Sequence, residues 1–232
     1  MVPLRDDNPT HTTPVVVYGL IGLNLALFAM QVSLSPQELN QLFQTWALVP
    51  FQLSASLRGQ LANPFHEWIT LLSSMFLHGG FFHIGGNLLY LWIFGNNIED
   101  QLGHVKFLLF YLGCGVMAGL TQWAFDPTAT IPTIGASGAI AGVMGAYVLR
   151  FPRAQILTLL PLIIVFTTIR IPAILFLGLW FAQQAILSLA TLSDHVNLGA
   201  SGIAYWAHSG GFVFGLILGP MLGLMKSRTQ SE

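Results

Sequence analysis

Four polar side chains capable of chemistry lie in otherwise apolar, glycine-rich stretches. Ser137 lies in TIGASGAIAG, His208 in AHSGGFVFG, and His83 with Asn87 in HGGFFHIGGN. A serine beside a histidine forms the minimal activated nucleophile, because the imidazole takes the hydroxyl proton as the oxygen attacks a carbonyl. Taken alone, Ser137 fits a second explanation equally well, since small residues at four-residue spacing let membrane helices pack closely.

The composition indicates that these residues lie in a membrane. Of the 232 residues, 54% are hydrophobic and only 7% are charged, whereas a soluble domain carries about 25% charged residues. A membrane-spanning helix needs roughly 20 apolar residues. We number six such predicted spans in chain order: about 15–34, 81–98, 105–125, 135–149, 171–191 and 203–225. The sequence therefore predicts an all-α, polytopic membrane protein with six transmembrane helices.

The sequence also predicts the structure of two connections between the spans. Residues 35–80 are numerous and partly apolar, so we expect a long interfacial loop of short amphipathic pieces between spans one and two. Residues 152–170 are apolar but bounded by prolines and arginines, with Pro161 inside. An irregular or strand-like connection is the favoured interpretation, and a seventh span is the alternative.

The distribution of lysine and arginine predicts the orientation. With six spans both termini lie on one side of the membrane, and of the eight basic residues only Arg58 falls on the other. By the positive-inside rule both termini are cytoplasmic. The chain is then one membrane domain, 1–232, with short cytoplasmic tails at 1–14 and 226–232. Spans two, four and six run from the outer to the inner side, and we expect a prokaryotic plasma membrane.

The length of each span gives the depth of its polar groups. The fourth span has about 15 residues, or roughly 22 Å, against a hydrocarbon core of about 30 Å. Its start, with Ser137, is therefore sunk by roughly 8 Å, and His208 lies at a similar depth in span six. His83 and Asn87, at i and i+4, share one face near the start of span two. Because non-helical backbone at this depth must line protein or water, we infer a water-filled pocket open to the outside.

Glycines at four-residue spacing predict close contact between spans four and six. These glycines are Gly138 and Gly142 on span four, and Gly211, Gly215 and Gly219 on span six. We expect this contact to bring Ser137 and His208 within hydrogen-bond reach. All nine carboxylates fall in tails, loops or helix ends, so none completes a triad. We therefore predict a Ser137–His208 dyad, with His83, Asn87 and the backbone N–H of Ser137 as oxyanion donors.

At these residues the chain resembles the rhomboid intramembrane serine proteases. The resemblance rests on HGGFFHIGGN and FGNNIEDQLG at the two ends of span two, GASGAIAG in span four and AHSGGFVFG in span six. Each motif is weak alone, but their shared order and spacing are specific and cover nearly the whole chain. The resemblance implies that Ser137 is the nucleophile, His208 the general base, and His83 with Asn87 the oxyanion donors. It also implies protein substrates with a transmembrane helix, cut near the outer end of that helix.

Two positions depart from the pattern of the rhomboid family. Some members carry a tyrosine four residues after the nucleophile that packs against the catalytic histidine, whereas this chain has Ala141. The sequence therefore leaves open what orients His208. Many members also have an arginine after the tryptophan of the first long loop, whereas Trp68 is followed here by Ile69. Neither departure removes a catalytic group.

Three further residues are candidates for supporting roles. His78 is expected to shape the loop and pocket by hydrogen bonding. Gly135 is a structural candidate at the pocket, next to the start of span four. Glu99 is expected to make a structural hydrogen bond at the cytoplasmic end of span two. The single cysteine, Cys114, lies in an apolar run and is interpreted as a buried structural thiol.

Other functions remain as alternatives to proteolysis. Three histidines in one region permit a zinc site, but their spacing matches no metal motif, so we expect neither a metal nor a cofactor. A small transporter would have internal repeats and polar groups spaced through the whole membrane. A catalytically dead relative would lack one member of the dyad. The expected partners are the lipid bilayer and transmembrane-helix substrates, and no nucleic acid.

Overall fold

The computed structural model describes residues 1–162, 165–192 and 203–226, and this part of the chain is mostly helical. The helices are α1 (Val15–Val32), α2 (Pro36–Trp46), α3 (Pro50–Leu57), α4 (Pro64–Ser73), α5 (Phe81–Tyr90), α6 (Asn96–Leu102), α7 (His104–Phe125), α8 (Ser137–Arg150), α9 (Ala173–Ala190) and α10 (Tyr205–Met221), with a 3₁₀ turn at Ser74–Phe76. The strands are β1 (Val2–Arg5), β2 (Gln155–Leu162) and β3 (Val165–Pro172). Of the predicted tail 226–232, residues 227–232 lie outside the described part.

The helices that coincide with the six apolar runs differ in length. Three of the described helices, α1, α7 and α9, are long and apolar enough to cross a membrane by length and composition. By contrast, α8 has 14 residues and α10 has 17. A π-helical turn at Leu91–Gly95 joins α5 to α6, so the second predicted span is a continuous helical segment with one irregular turn. We call this segment, from α5 to α6, the rod. That α8, α10 and this rod also cross the membrane stays a prediction.

Residues 35–80 form a series of short helices. Ser35 begins α2 through a capping box, in which the Ser35 hydroxyl oxygen accepts from the Glu38 N–H and the Glu38 carboxylate accepts from the Ser35 N–H. Pro50 and Pro64 occupy the first positions of α3 and α4, where the missing N–H of proline costs nothing. The location of this segment in the membrane interface stays a prediction.

A three-stranded antiparallel sheet, in the order β1-β2-β3, departs from the all-α expectation. β2 and β3 form a hairpin that pairs Gln155 with Pro172, which confirms the strand-like interpretation of residues 152–170 over a seventh span. The β-branched residues of β3 favour this extended backbone. β1 belongs to the segment expected to be a tail, and it pairs Val2 with Leu159. Because the two strands are far apart in the sequence, no local pattern predicts the pairing.

α8 is the central helix of the described bundle. Every residue from Gly138 to Tyr147 is buried, as expected for a helix surrounded by other elements. Its most extensive contacts are with α10 and α7, and the fully buried rings of Phe107 and Phe110 on α7 belong to the same core. Ser137 is therefore at the start of a helix that is buried over most of its length.

Glycines bring α8 and α10 into backbone contact. A Cβ atom added at Gly211 would overlap the carbonyl oxygen of Gly138, and one at Gly215 would overlap the carbonyl oxygen of Gly142. Gly219, the fifth predicted packing glycine, meets side chains instead of backbone. Only residues without a side chain allow this approach, since an added methyl group has no flexible neighbour to displace.

Candidate active site

Ser137 and His208 meet where α8 packs against α10. Ser137 is the first residue of α8, and His208 lies in the first turn of α10. The Ser137 Oγ and the His208 Nε2 are 2.8 Å apart, within hydrogen-bond range. The Ser137 hydroxyl can donate to the imidazole, as a nucleophile and its general base require.

A cavity of about 640 Å³ adjoins this pair. Residues from α5, α8, α9 and α10 line it, among them Ser137, His208, His83, Asn87, Trp180 and Tyr90. Its volume lies within the range of about 300–1,000 Å³ that is typical of ligand sites. Such sites combine mostly apolar walls with a few convergent polar groups, and this cavity has that character.

His83 and Asn87 direct side-chain nitrogens toward the turn that precedes α8. A Cβ atom added at Gly135 would lie 2.6 Å from the His83 Nε2 and 3.5 Å from the Asn87 Nδ2. Gly135 has a φ of +116°, a backbone conformation that residues other than glycine rarely adopt. Glycine is therefore required here for two reasons: the backbone conformation disfavours other residues, and a larger side chain would overlap the His83 ring.

Hydrogen bonding identifies the donor nitrogen of His83. The Gly79 N–H donates to the His83 Nδ1 at 3.3 Å, so the neutral ring carries its proton on Nε2. The Asn87 Nδ2 is buried and has no hydrogen-bond partner among the described residues. The Ser137 N–H has no acceptor within α8, because the first N–H groups of a helix lack intrahelical partners. Three N–H groups are thus available around the start of α8.

His78, in the loop before α5, makes hydrogen bonds through its backbone and packs against His83 through its ring. Its N–H donates to the Gln31 Oε1 at 3.1 Å, and its carbonyl oxygen accepts from the Gln31 Nε2 at 2.9 Å. Its ring packs edge-on against the His83 ring, with centroids 5.2 Å apart. Burial, and secondarily the proximity of His83, lowers the pKa of His78 to about 4. The ring is therefore neutral near pH 7, and the backbone rather than the ring makes the hydrogen bonds to α1.

The sequence matches the Rhomboid domain over residues 65–224, which is more than half of the chain and includes Ser137, His208, His83 and Asn87. The chain belongs to the rhomboid family. Rhomboids are membrane proteins, in agreement with the apolar composition and the three helices long enough to cross a membrane.

Several rhomboid relatives are similar over most of this chain. Rhomboid protein 1, mitochondrial, of Saccharomyces cerevisiae is 30% identical over 208 residues, covering 88% of this chain and 52% of the relative. Rhomboid protease GluP of Bacillus subtilis is 34% identical over 163 residues, covering 69% of this chain and 27% of GluP. The human presenilin-associated rhomboid-like protein, mitochondrial, is 28% identical over 210 residues, covering 86% and 46%. The chain spans about a quarter to a half of the length of these curated relatives.

Glu99 of this rhomboid lies in α6, at the opposite end of the second predicted span from His83, and binds the start of α1. Its fully buried carboxylate accepts from the Val16 N–H at 2.9 Å and the Val17 N–H at 2.8 Å. It also pairs with the His104 Nδ1 at 2.6 Å. A carboxylate at a helix N-terminus satisfies free N–H groups and interacts favourably with the helix dipole. Glu99 thus makes hydrogen bonds at a helix end, but the helix it caps is α1.

Two residues of α9 reach this rhomboid site although they are not among the residues predicted from the sequence. The Gln184 Oε1 lies 2.8 Å from the His208 Nδ1. The Trp180 ring packs beside the His208 ring, with centroids 5.9 Å apart. A glutamine inside an apolar predicted span is itself a signal, because polar groups within a membrane usually have partners. The prediction considers polar groups only in spans two, four and six and so passes over α9.

The geometry does not favour the zinc alternative. The His208 ring nitrogens face Ser137 and Gln184, so neither is left for a metal ion. Within residues 1–162, 165–192 and 203–226, no three His, Cys, Asp or Glu side chains are grouped to hold one.

Proposed function

We propose that this rhomboid is an intramembrane serine endopeptidase that uses a Ser137–His208 dyad. Its substrates are proteins with a transmembrane helix, which it cuts in or near the outer end of that helix. The observation that carries the proposal is the 2.8 Å distance between the Ser137 Oγ and the His208 Nε2 at the wall of the cavity. The name of the relative GluP, a rhomboid protease, favours the same activity.

The reaction proceeds through an acyl-enzyme. The His208 Nε2 takes the Ser137 hydroxyl proton as the Oγ attacks the scissile carbonyl carbon. The protonated imidazole then gives this proton to the leaving amine as the C–N bond breaks. A water molecule, deprotonated by the same imidazole, attacks the acyl carbon. The proton finally returns to the Ser137 Oγ, which releases the new carboxyl group.

The tetrahedral intermediates place a negative charge on the former carbonyl oxygen. We assign its stabilisation to the His83 Nε2–H, the Asn87 Nδ2–H and the Ser137 backbone N–H. Fixed donors stabilise the transition state more than the bound substrate, because the oxygen gains charge as the bond to Oγ forms. The Asn87 Nδ2 has no acceptor among the described residues, which fits a donor reserved for a substrate oxygen.

The proposal includes a bilayer, with both termini cytoplasmic and the cavity open to the outer side. Its basis is the distribution of basic residues and the shortness of α8. The 14 residues of α8 extend over about 21 Å, whereas the hydrocarbon core is about 30 Å thick. Ser137 would then lie below the membrane surface, at a depth where a polar cavity is needed to supply water for hydrolysis.

Purified full-length protein in liposomes provides the test. The wild type should cleave a fluorogenic transmembrane substrate, and a fluorophosphonate should label Ser137, as located by mass spectrometry. Ser137→Ala should abolish cleavage and labelling. Ser33→Ala, which changes an exposed serine after α1, should preserve both. Unchanged cleavage by Ser137→Ala would overturn the proposal.

A further inference from the structure

His208 has a second hydrogen-bond partner on a helix that supplies no part of the proposed dyad. The Gln184 Oε1 of α9 lies 2.8 Å from the His208 Nδ1, on the side of the ring away from Ser137. α9 carries no aspartate or glutamate, so its contribution to the site is neutral. Gln184 is buried, with 8% of its surface exposed.

Hydrogen bonds near Gln184 join α9 to α10 beside His208. The backbone carbonyl oxygen of Gln184 accepts from the Ser188 hydroxyl at 2.8 Å, and the Ser188 Oγ lies 3.0 Å from the Ser209 Oγ of α10. The hydrogen bond between the two serines links α9 to α10 next to His208. One turn before Gln184, the Trp180 ring lies beside the imidazole. Trp180 and Gln184, at i and i+4, therefore contact the histidine from one face of α9.

A general base at Nε2 requires the neutral His208 ring to carry its proton on Nδ1. The Gln184 Oε1 lies where it can accept from this Nδ1–H, because an amide oxygen only accepts. The Nε2 lone pair then faces the Ser137 hydroxyl, as a general base requires. The opposite tautomer would carry its proton on Nε2 and could not deprotonate the serine.

We propose that Gln184 is the positioning residue of the dyad, selecting the productive tautomer of His208 and fixing the plane of its ring. This inference rests on the proposed function and deepens it, because it supplies the orienting group that Ala141 cannot provide. A neutral acceptor does this without burying a further charge, which would be costly inside the membrane. The neutral Gln184 amide stabilises the protonated His208 ring less than a negatively charged carboxylate would.

Two substitutions at Gln184 separate positioning from packing. Gln184→Leu removes the acceptor at a similar volume and should lower kcat by about 10- to 100-fold, the effect of leaving a buried donor unpaired. KM should change by less than about threefold, and the rate of fluorophosphonate labelling should fall with kcat. Gln184→Glu keeps an acceptor oxygen at the same distance and should restore most of the turnover. Gln183→Leu changes the neighbouring exposed glutamine and should behave as wild type.

The measurements use full-length protein in liposomes, with thermal unfolding of each variant as the control for folding. Wild-type turnover in Gln184→Leu would overturn the inference. So would a Gln184→Glu variant that unfolds like the wild type but is as slow as Gln184→Leu. If the wild type neither cleaves nor is labelled, the proposed function is wrong and the positioning role falls with it. Activity that is lost in Ser137→Ala but kept in Gln184→Leu refutes the positioning role alone.

Discussion

The glycine contact between α8 and α10 sets the distance on which the proposed chemistry depends. Gly215 lies about two turns after His208 on α10. A Cβ atom there would overlap the Gly142 carbonyl oxygen and lie 2.6 Å from its carbonyl carbon, whereas ordinary contact begins at 3.4 Å. Because the obstructing atoms are backbone and the oxygen lies closer than the carbon, Gly215→Ala must push the helices apart by at least about 0.8 Å, the difference between these two distances.

This displacement has two measurable costs. Overpacking of a well-packed interface lowers the free energy of unfolding by about 1–3 kcal/mol. If the opening reaches the site in full, the Ser137–His208 hydrogen bond of 2.8 Å lengthens beyond about 3.5 Å and no longer forms. Since a misplacement of about 1 Å costs on the order of 100-fold in rate, we expect about that loss in the turnover of Gly215→Ala.

The assay combines turnover of a transmembrane substrate, the rate of fluorophosphonate labelling and thermal unfolding in one lipid composition. Gly178→Ala is the matched control, because a Cβ atom at Gly178 meets no atom of the described residues within 4 Å. Alanine also favours the helix by about 0.5–1 kcal/mol over glycine. The control should keep full activity and unfold at no lower temperature. If Gly215→Ala matches the control in both measurements, the backbone contact does not set the dyad distance.

Two further substitutions test the remaining hydrogen-bonding groups. Asn87→Ala should lower kcat by about 100-fold with little change in KM, because the donor matters most when the carbonyl oxygen becomes charged; kinetics with preserved kcat and a greatly raised KM would make Asn87 a substrate-binding residue. Glu99→Gln replaces one acceptor oxygen with a donor facing α1 and should lower the free energy of unfolding by about 1–3 kcal/mol in chemical denaturation. Glu38→Gln, at an exposed helix cap, should have a smaller effect, and equal losses would refute the importance of the buried carboxylate.

The membrane is the reason that much of this fold and site is predictable from sequence. Apolar length alone locates the long helices, since few other segments of a protein need so many consecutive apolar residues. Polar side chains are costly there, so Ser137 and His208 stand out, and the glycines at four-residue spacing indicate which helices approach. The structure brings this serine and histidine to 2.8 Å.

The features that the sequence does not reveal depend on contacts between distant parts of the chain. β1 is defined by its pairing with β2 rather than by its own residues. Gln184 is visible as a polar residue, but only the packing of α9 on α10 shows that it faces His208. His78 is expected to make hydrogen bonds, but the sequence does not say that its backbone rather than its ring makes them to Gln31.

The π-helical turn at Leu91–Gly95 limits the changes in chain length that the rod can accept. Such a turn typically accommodates one residue beyond the regular α-helix, and each α-helical residue corresponds to about 100° of rotation. The turn therefore sets the rotational phase between α5, which carries His83 and Asn87, and α6, which carries Glu99. Deletion of one residue can be absorbed if this turn closes to regular α-helix, whereas insertion of a further residue would rotate the two halves relative to each other by about 100°. After such an insertion, either the proposed oxyanion donors would leave the cavity or Glu99 would leave the start of α1, although the inserted residue takes part in neither site.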